Sequence, residues 1–398
     1  MPSRTFLIMR RAGSKSAALL LATLLAGLAL PGSLAAAAGR VASRPDTATS
    51  LCPPATPAAH PTAAPHLRFG IDPGLAGNPL PSLKGPVAVN PKAERRALHA
   101  LKPTHRPLVI RLNRLFWSGG EKLLQSFAKE AASYGRRGYD VEVQVRYHPT
   151  KANNGNLDGW ARWVRHVVDV LGKNKSLVSL TITNEVNLAI SPNTSDGSYT
   201  AGKGALVHGV EAAYDELRKH GWAKRVPVGF TFAYRLDPTA DSRLFDFLNT
   251  NGGPRFRRAL GFVGLDVYPG TVYPPTLIPP IDTAGDEMAS AIATMRVCYL
   301  PLAKISPKTP IWITENGFAS NGSGNTAQPA ALRQMIEAAQ KYGGTYHVTD
   351  YRWFNLRDNN SRGNGLFDQD GLLRDDNSRK PSFAVYKHLI KTFGQPPK

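Results

Sequence analysis

Cysteine, acidic residues and long apolar runs are all scarce in this sequence, and each shortage closes off a class of function. Two cysteines in 398 residues, Cys52 and Cys298, cannot build a disulfide-dense scaffold, and no His/Cys/Glu group falls at metal-ligand spacing. No metal and no cofactor is therefore expected. Asp and Glu number 29 against 49 Lys and Arg, a formal charge of +20. Such an excess fits attraction to anionic envelope polymers or acidic glycans. The basic runs with interleaved aromatics that would mark a nucleic-acid surface are missing, so no nucleic-acid partner is expected. Gly202-Lys203-Gly204-Ala205 lacks the phosphate-binding P-loop pattern and reads as a loop entering a helix.

The marked apolar run, Ala17 to Leu30, follows Arg4, Arg10, Arg11 and Lys15, is broken by Pro31-Gly32 and leads into Ala35 to Ala38. This layout predicts an export signal over residues 1–38 and a secreted or extracytoplasmic location, with an uncleaved membrane anchor as the alternative. Residues 39–65 are mostly Ala, Pro, Thr and Ser, with too little apolar surface to fold, and are expected to form a disordered tether. The folded domain should then run from residue 66 to residue 398. Export permits a disulfide between Cys52 and Cys298 that would strap the tether across the domain; the alternative is two unpaired thiols, with Cys298 packing as a small apolar group.

From Leu67 onward, strand-like and amphipathic helical stretches alternate eight times. The predicted strands are Leu67–Asp72, Leu108–Asn113, Val141–Tyr147, Val178–Thr183, Val226–Phe232, Phe262–Tyr268, Ile311–Thr314 and Tyr346–Phe354. Predicted helices cover Lys92–Leu101, Glu121–Tyr134, Leu157–Leu171, Ala205–Lys219, Ser242–Leu248, Asp286–Leu300 and Thr326–Tyr342, and Pro381–Phe393 closes the chain. This is the α/β pattern of a (β/α)8 TIM barrel forming a single catalytic domain, with a doubly wound sheet as runner-up. The barrel is favoured because Asp72, Arg111, His148, Glu185, Tyr268 and Glu315 all fall near strand carboxyl ends, where a barrel gathers them at one mouth.

Two of these positions carry the chemistry. Thr183-Asn184-Glu185-Val186-Asn187 and Thr314-Glu315-Asn316-Gly317-Phe318 each follow a β-branched run, so a rigid element delivers each glutamate. Paired carboxyl groups suit glycosidic bond cleavage: one protonates the leaving oxygen while the other attacks the sugar carbon or activates water. Each glutamate alone is as readily an ion-pair partner or a helix cap; the pairing favours catalysis. Asp266, two residues deeper on the strand of Tyr268, reads as a buried structural carboxylate. The segment from Tyr268 to Pro280, with Tyr273 and four prolines after it, is expected to form an aromatic wall of the cleft.

The order Arg at strand two, Asn-Glu after strand four, Tyr at strand six, Glu ending strand seven and Trp at strand eight resembles the clan A (4/7 superfamily) glycoside hydrolases. Gly365-Leu366-Phe367-Asp368 through Lys380-Pro381 is similar to the closing loop and last helix of cellulase-like members. The resemblance implies a retaining glycosidase acting on a poly- or oligosaccharide, with Glu185 as acid/base, Glu315 as nucleophile and Asn184 on the sugar 2-hydroxyl. It further implies that Arg111 and Tyr268 hold Glu315 and that Trp353 floors the subsite. Arg111 has a structural alternative as a bridge to Asp72 or Glu142. His148 is either a substrate contact or a scaffold residue, and a non-catalytic envelope-glycan-binding barrel is the functional alternative.

Overall fold

The computed structural model describes residues 52–74, 88–104, 106–234, 237–269, 283–320, 327–363, 365 and 367–396. The expected export segment, the first part of the tether and the Gly270–Pro280 stretch with Tyr273 lie outside the described residues. Eight strands close into a parallel barrel in sequence order: β1 (Arg68–Ile71), β2 (Val109–Phe116), β3 (Asp140–Arg146), β4 (Leu177–Ile182), β5 (Val228–Ala233), β6 (Leu260–Val267), β7 (Ile311–Asn316) and β8 (Val348–Trp353). Closure is made by β8 lying beside β1, with Arg68 opposite Asp350 and Ile71 opposite Trp353.

Around the barrel run α1 (Pro91–Leu101), α2 (Gly120–Arg136), α3 (Leu157–Leu171), α4 (Gly202–Lys219), α5 (Pro238–Asn251), α6 (Gly253–Ala259), α7 (Ala284–Thr294), α8 (Leu300–Leu302), α9 (Ala327–Tyr346) and α10 (Pro381–Phe393). A π-helical turn, Met295–Tyr299, joins α7 to α8. No helix among the described residues is long and apolar enough to cross a membrane. The doubly wound alternative is excluded by the closed strand order.

The strands alternate as a barrel requires. On β3, Val141, Val143 and Val145 are apolar and buried while Glu142, Gln144 and Arg146 between them are buried and polar. The polar set builds an ion network through the barrel: Glu142 pairs with Arg111 and with Arg352 (3.1 Å), Arg352 pairs with Asp350 (2.8 Å), and Asp350 with Arg68 (2.6 Å). Burial alone would raise the Glu142 pKa, but Arg352 and Arg111 outweigh it and hold the carboxyl below its usual range. Gly70 leaves room for this layer, since a methyl there would stand 2.5 Å from Cδ of Arg352 and 2.7 Å from the Val109 carbonyl oxygen.

Two expectations need correction. Tyr346 does not begin β8 but ends α9, and His347, at φ 56°, turns the chain into the strand. Residues 52–65, expected as tether, lie against the domain. Cys52 is disulfide-bonded to Cys298 and fully buried. Backbone N–H groups donate from Ala55 to Thr294 Oγ1 (2.8 Å), from Ala58 to the Tyr346 hydroxyl (2.8 Å), from Thr62 to Thr345 Oγ1 (2.7 Å) and from Ala64 to the Gln340 carbonyl (2.8 Å). A segment with few apolar side chains is thus held through its backbone, by hydroxyls of α7 and α9 and by one covalent link. The composition rule counts side-chain burial and misses this.

The link closes a stretch of 246 residues, for which the chain-entropy account gives an upper bound of about 5 kcal/mol. Cys298→Ser is accordingly expected to lower the thermal midpoint by several degrees and to open the strap to proteolysis. Calorimetry with peptide mapping of the oxidised chain checks this; an unchanged midpoint alongside a mapped disulfide would show that the link adds nothing.

Candidate active site

At the carboxyl end of β4 the chain leaves the strand through two residues in the left-handed region, Thr183 at φ 62° and Glu185 at φ 46°. Such a conformation costs a non-glycine residue about 1–3 kcal/mol and persists only where surrounding contacts dictate it. Here they do: Thr183 N–H donates to Val145 O (2.8 Å), Asn184 N–H to Asp196 Oδ2 (2.9 Å) and Glu185 N–H to Thr231 Oγ1 (3.1 Å). The Asn184 amide is fixed in turn, accepting from Gln144 Nε2 (2.8 Å) and Thr231 Oγ1 (2.9 Å) and donating to Thr194 O (2.7 Å). The turn aims the Glu185 side chain into a cleft of about 710 Å3, solvent mouth included, that Asn184, Asp266, Tyr268 and Glu315 also line.

Glu315 needs no such turn, because it is the penultimate residue of β7. Its Oε2 accepts from the Tyr268 hydroxyl (2.9 Å) and its Oε1 from Nη2 of Arg111 (3.3 Å). Burial, and next the neighbouring Glu315, push the Tyr268 pKa well up, so the phenol keeps its proton and remains a donor. Arg111 therefore joins both readings of the sequence: it is the structural partner of Glu142 and a hydrogen-bond donor to Glu315.

One oxygen each of Glu185, Asp266 and Glu315 lie within 4.8 Å of one another. Glu185 is raised well above its ordinary carboxyl range, first by burial and then by Asp266 and Glu315, with Arg146 and Arg111 opposing. Asp266 is raised in the same sense by burial and Glu315, and Thr314 donates to its Oδ1 (2.6 Å). The strand-six aspartate read as structural thus borders the cleft and crowds Glu185 with negative charge. Asp72, at the end of β1, is pushed up to about 7 by burial and by Glu315. The arrangement favours the protonated form of Glu185 and Asp266 above the usual carboxyl range while two donors grip Glu315.

Two expected residues are not brought into the cleft. Trp353 is fully buried, donates from Nε1 to the Asp370 carbonyl (3.1 Å) and packs on Tyr386 of α10. Strand parity explains this correction: Tyr351 and Trp353 share one face of β8, towards the helices, while Arg352 points into the barrel. Phe354, in phase with Arg352, lines the cleft instead, edge-on to Tyr268 and Phe367. His148 stands beside the cleft between the rings of Phe116 and Tyr199, with Nδ1 2.8 Å from Ser118 Oγ. Burial, then Arg146, lowers its pKa.

Sequence reasoning did not single out Asp196, Arg146 or Phe354. Asp196 is the pin of the site, accepting from Arg146 Nε (3.0 Å), Tyr147 N–H (2.9 Å) and Asn184 N–H (2.9 Å). It opens a single 3-10 turn, Asp196–Ser198, between β4 and α4, too short to have a periodicity that would mark it. Arg146 could have been found, since it ends β3 in phase with Glu142.

No protein-family profile matches the sequence, and no curated protein matches it. Among solved structures, the chain is similar to the family 1 β-glucosidase from Thermotoga maritima in complex with isofagomine lactam (15% identity, TM-score 0.57, covering 85% of this chain and 100% of that one). It is also similar to GH5_18 from Bifidobacterium longum (15%, 0.55, covering 83% and 81%) and to GH5_18 from Streptomyces cattleya in complex with GlcNAc (15%, 0.54, covering 85% and 83%). At these identities the likeness is one of fold, and the fold is the (β/α)8 barrel that these glycoside hydrolases share.

Proposed function

We propose that this chain is an exported glycoside hydrolase that cleaves O-glycosidic bonds of a poly- or oligosaccharide by double displacement with retention. One observation carries the reading: one carboxyl oxygen of Glu185 and one of Glu315 approach within 4.8 Å, close enough for the retaining arrangement, at the ends of the fourth and seventh strands and in unlike surroundings. Retaining pairs stand about 5–5.5 Å apart, whereas inverting pairs need about 6.5–9.5 Å to admit a water. Export is supported by the signal-like N-terminus and by the Cys52–Cys298 bridge, which suits an oxidising space.

In the first step Glu315 attacks the anomeric carbon as the bond to the leaving oxygen breaks and Glu185 passes its proton to that oxygen. The product is a glycosyl ester on Glu315. Glu185, now ionised, takes a proton from water as the hydroxide attacks the same carbon, releasing Glu315 and restoring the proton to Glu185. Arg111 and Tyr268 hold the attacking carboxylate throughout, and Phe354 and Tyr268 offer aromatic surface to the CH faces of a sugar. The likeness to β-glucosidases and to fungal β-1,4-galactanases supports a carbohydrate substrate without selecting the sugar.

Activated 2-fluoro glycosides test this directly, because the fluorine slows release and leaves the sugar on the nucleophile. Peptide mapping is expected to place it on Glu315. Label on another residue would overturn the assignment of Glu315 as nucleophile, and no label from a panel spanning the common sugars would favour a glycan-binding barrel.

A further inference from the structure

One wall of the cleft is cationic and plays no part in the steps above. Along β2 and β3, Leu112 pairs with Val143 and Leu115 with Val145, so β2 carries one extra residue between them. A bulge of this kind re-aims side chains, and here it turns Asn113 and Arg114 into the cleft beside Arg146. The guanidinium carbons of Arg114 and Arg146 lie 5.6 and 5.4 Å from the centroid of the same Phe116 ring, and both side chains line the same cleft.

Neither arginine is fully used. Arg146 is almost wholly buried, and only its Nε is engaged, by Asp196 at 3.0 Å; Nη2 has no hydrogen-bond partner among the described residues. Arg114 has no ion-pair partner among the described residues. Burial lowers its pKa; Asp72 opposes that effect and Arg146 adds to it. Two guanidinia lining one cleft, one of them with an unpartnered Nη2, offer positive charge and donors to an anion. A neutral glycan would leave those donors without a charged partner, at a cost in binding.

We propose that Arg114 and Arg146 form an anion subsite beside the catalytic pair and that the glycan cleaved there carries an acidic group next to the scissile bond. This rests on the glycosidase reading and narrows its substrate class to acidic glycans, whose charge is either a uronate carboxylate or a phosphodiester. The excess of positive charge over the whole chain would speed the encounter with such polymers.

The test is calorimetric titration of the full chain carrying Glu315→Gln, which stops turnover. The probes are uronate oligosaccharides, the same oligosaccharides with carboxyls reduced to alcohols, and a poly(glycerol phosphate) polymer. Tenfold or tighter binding of a uronate probe over its reduced form identifies a carboxylate; a comparable preference for the phosphate polymer over the reduced oligosaccharides identifies a phosphodiester. Either preference should collapse towards one when Arg114→Gln or Arg146→Gln is added, with folding confirmed by thermal melting. Arg114, the less buried of the two, serves if loss of Arg146 disturbs Asp196.

An acidic preference that survives both substitutions would reduce the effect to overall charge and overturn the subsite. So would equal binding of acidic and reduced probes. If those results came with Glu315 still labelled by the 2-fluoro reagents, the glycosidase reading would stand without the subsite. Arginine-dependent binding with Glu315 never labelled would leave the subsite standing and remove the hydrolase.

Discussion

Glu315→Ala is expected to lower turnover by on the order of 10^4- to 10^6-fold, the range found when a covalent nucleophile is removed, with little change in folding. The size follows from the site's division of labour. Arg111 and Tyr268 both donate to Glu315, and each contact exists to present that one carboxylate. Alanine leaves a gap beside the anomeric carbon, bordered by two donors, that a small anion can enter. Added azide should therefore restore part of the rate and give a glycosyl azide of inverted configuration, because a single displacement from that face replaces the first of two. Loss of less than about a hundredfold, or an azide product of retained configuration, would contradict the assignment. Product configuration, read by proton resonance spectroscopy, is the deciding measurement, since a merely structural role for Glu315 cannot invert it.

Particular residues show where the sequence sufficed. The eightfold alternation and the two strand-end glutamates were legible because both rest on local signals: β-branched runs, helical periodicity and a carboxyl at a strand terminus. Leu157–Leu171 and Pro381–Phe393 form helices over the bounds their spacing predicts, with Asn156 and Pro381 marking the starts. Trp353 was misplaced because large aromatics suit either the cleft or the helix layer, and residue type alone cannot choose. Parity with the inward Arg352 was the available signal, and it selects Phe354. The bulge at Asn113-Arg114 breaks parity altogether, so the cationic wall could not be read from β2. Asp196 was invisible for another reason: its role is to accept three hydrogen bonds from residues up to 50 positions away, which no local pattern encodes. The strap from Cys52 to Ala64 combines both failures, with a composition that argues for disorder and backbone partners more than 200 residues distant.

Glu185→Ala should separate proton donation from nucleophilic attack. Glycosides with poor leaving groups need the proton and should slow by about 10^2- to 10^4-fold, whereas activated aryl glycosides, whose leaving oxygen departs unprotonated, should be spared in the first step. Azide acting on this variant enters from the side of the lost acid, after the ester on Glu315 has formed, and so should give a product of retained configuration, opposite to Glu315→Ala. The pH dependence has a fixed sign. Burial, with Asp266 and Glu315 nearby, raises the Glu185 pKa, so the acid form persists above the usual carboxyl range and disappears as pH rises through the shifted value. In the unsubstituted chain kcat/KM for poor leaving groups should consequently fall on the alkaline side as that proton is lost. Glu185→Ala should flatten that limb while leaving an acidic limb set by the other carboxyls. An alkaline limb that persists unchanged in the variant would assign it to another group, and equal loss on both classes of leaving group would remove Glu185 from proton transfer.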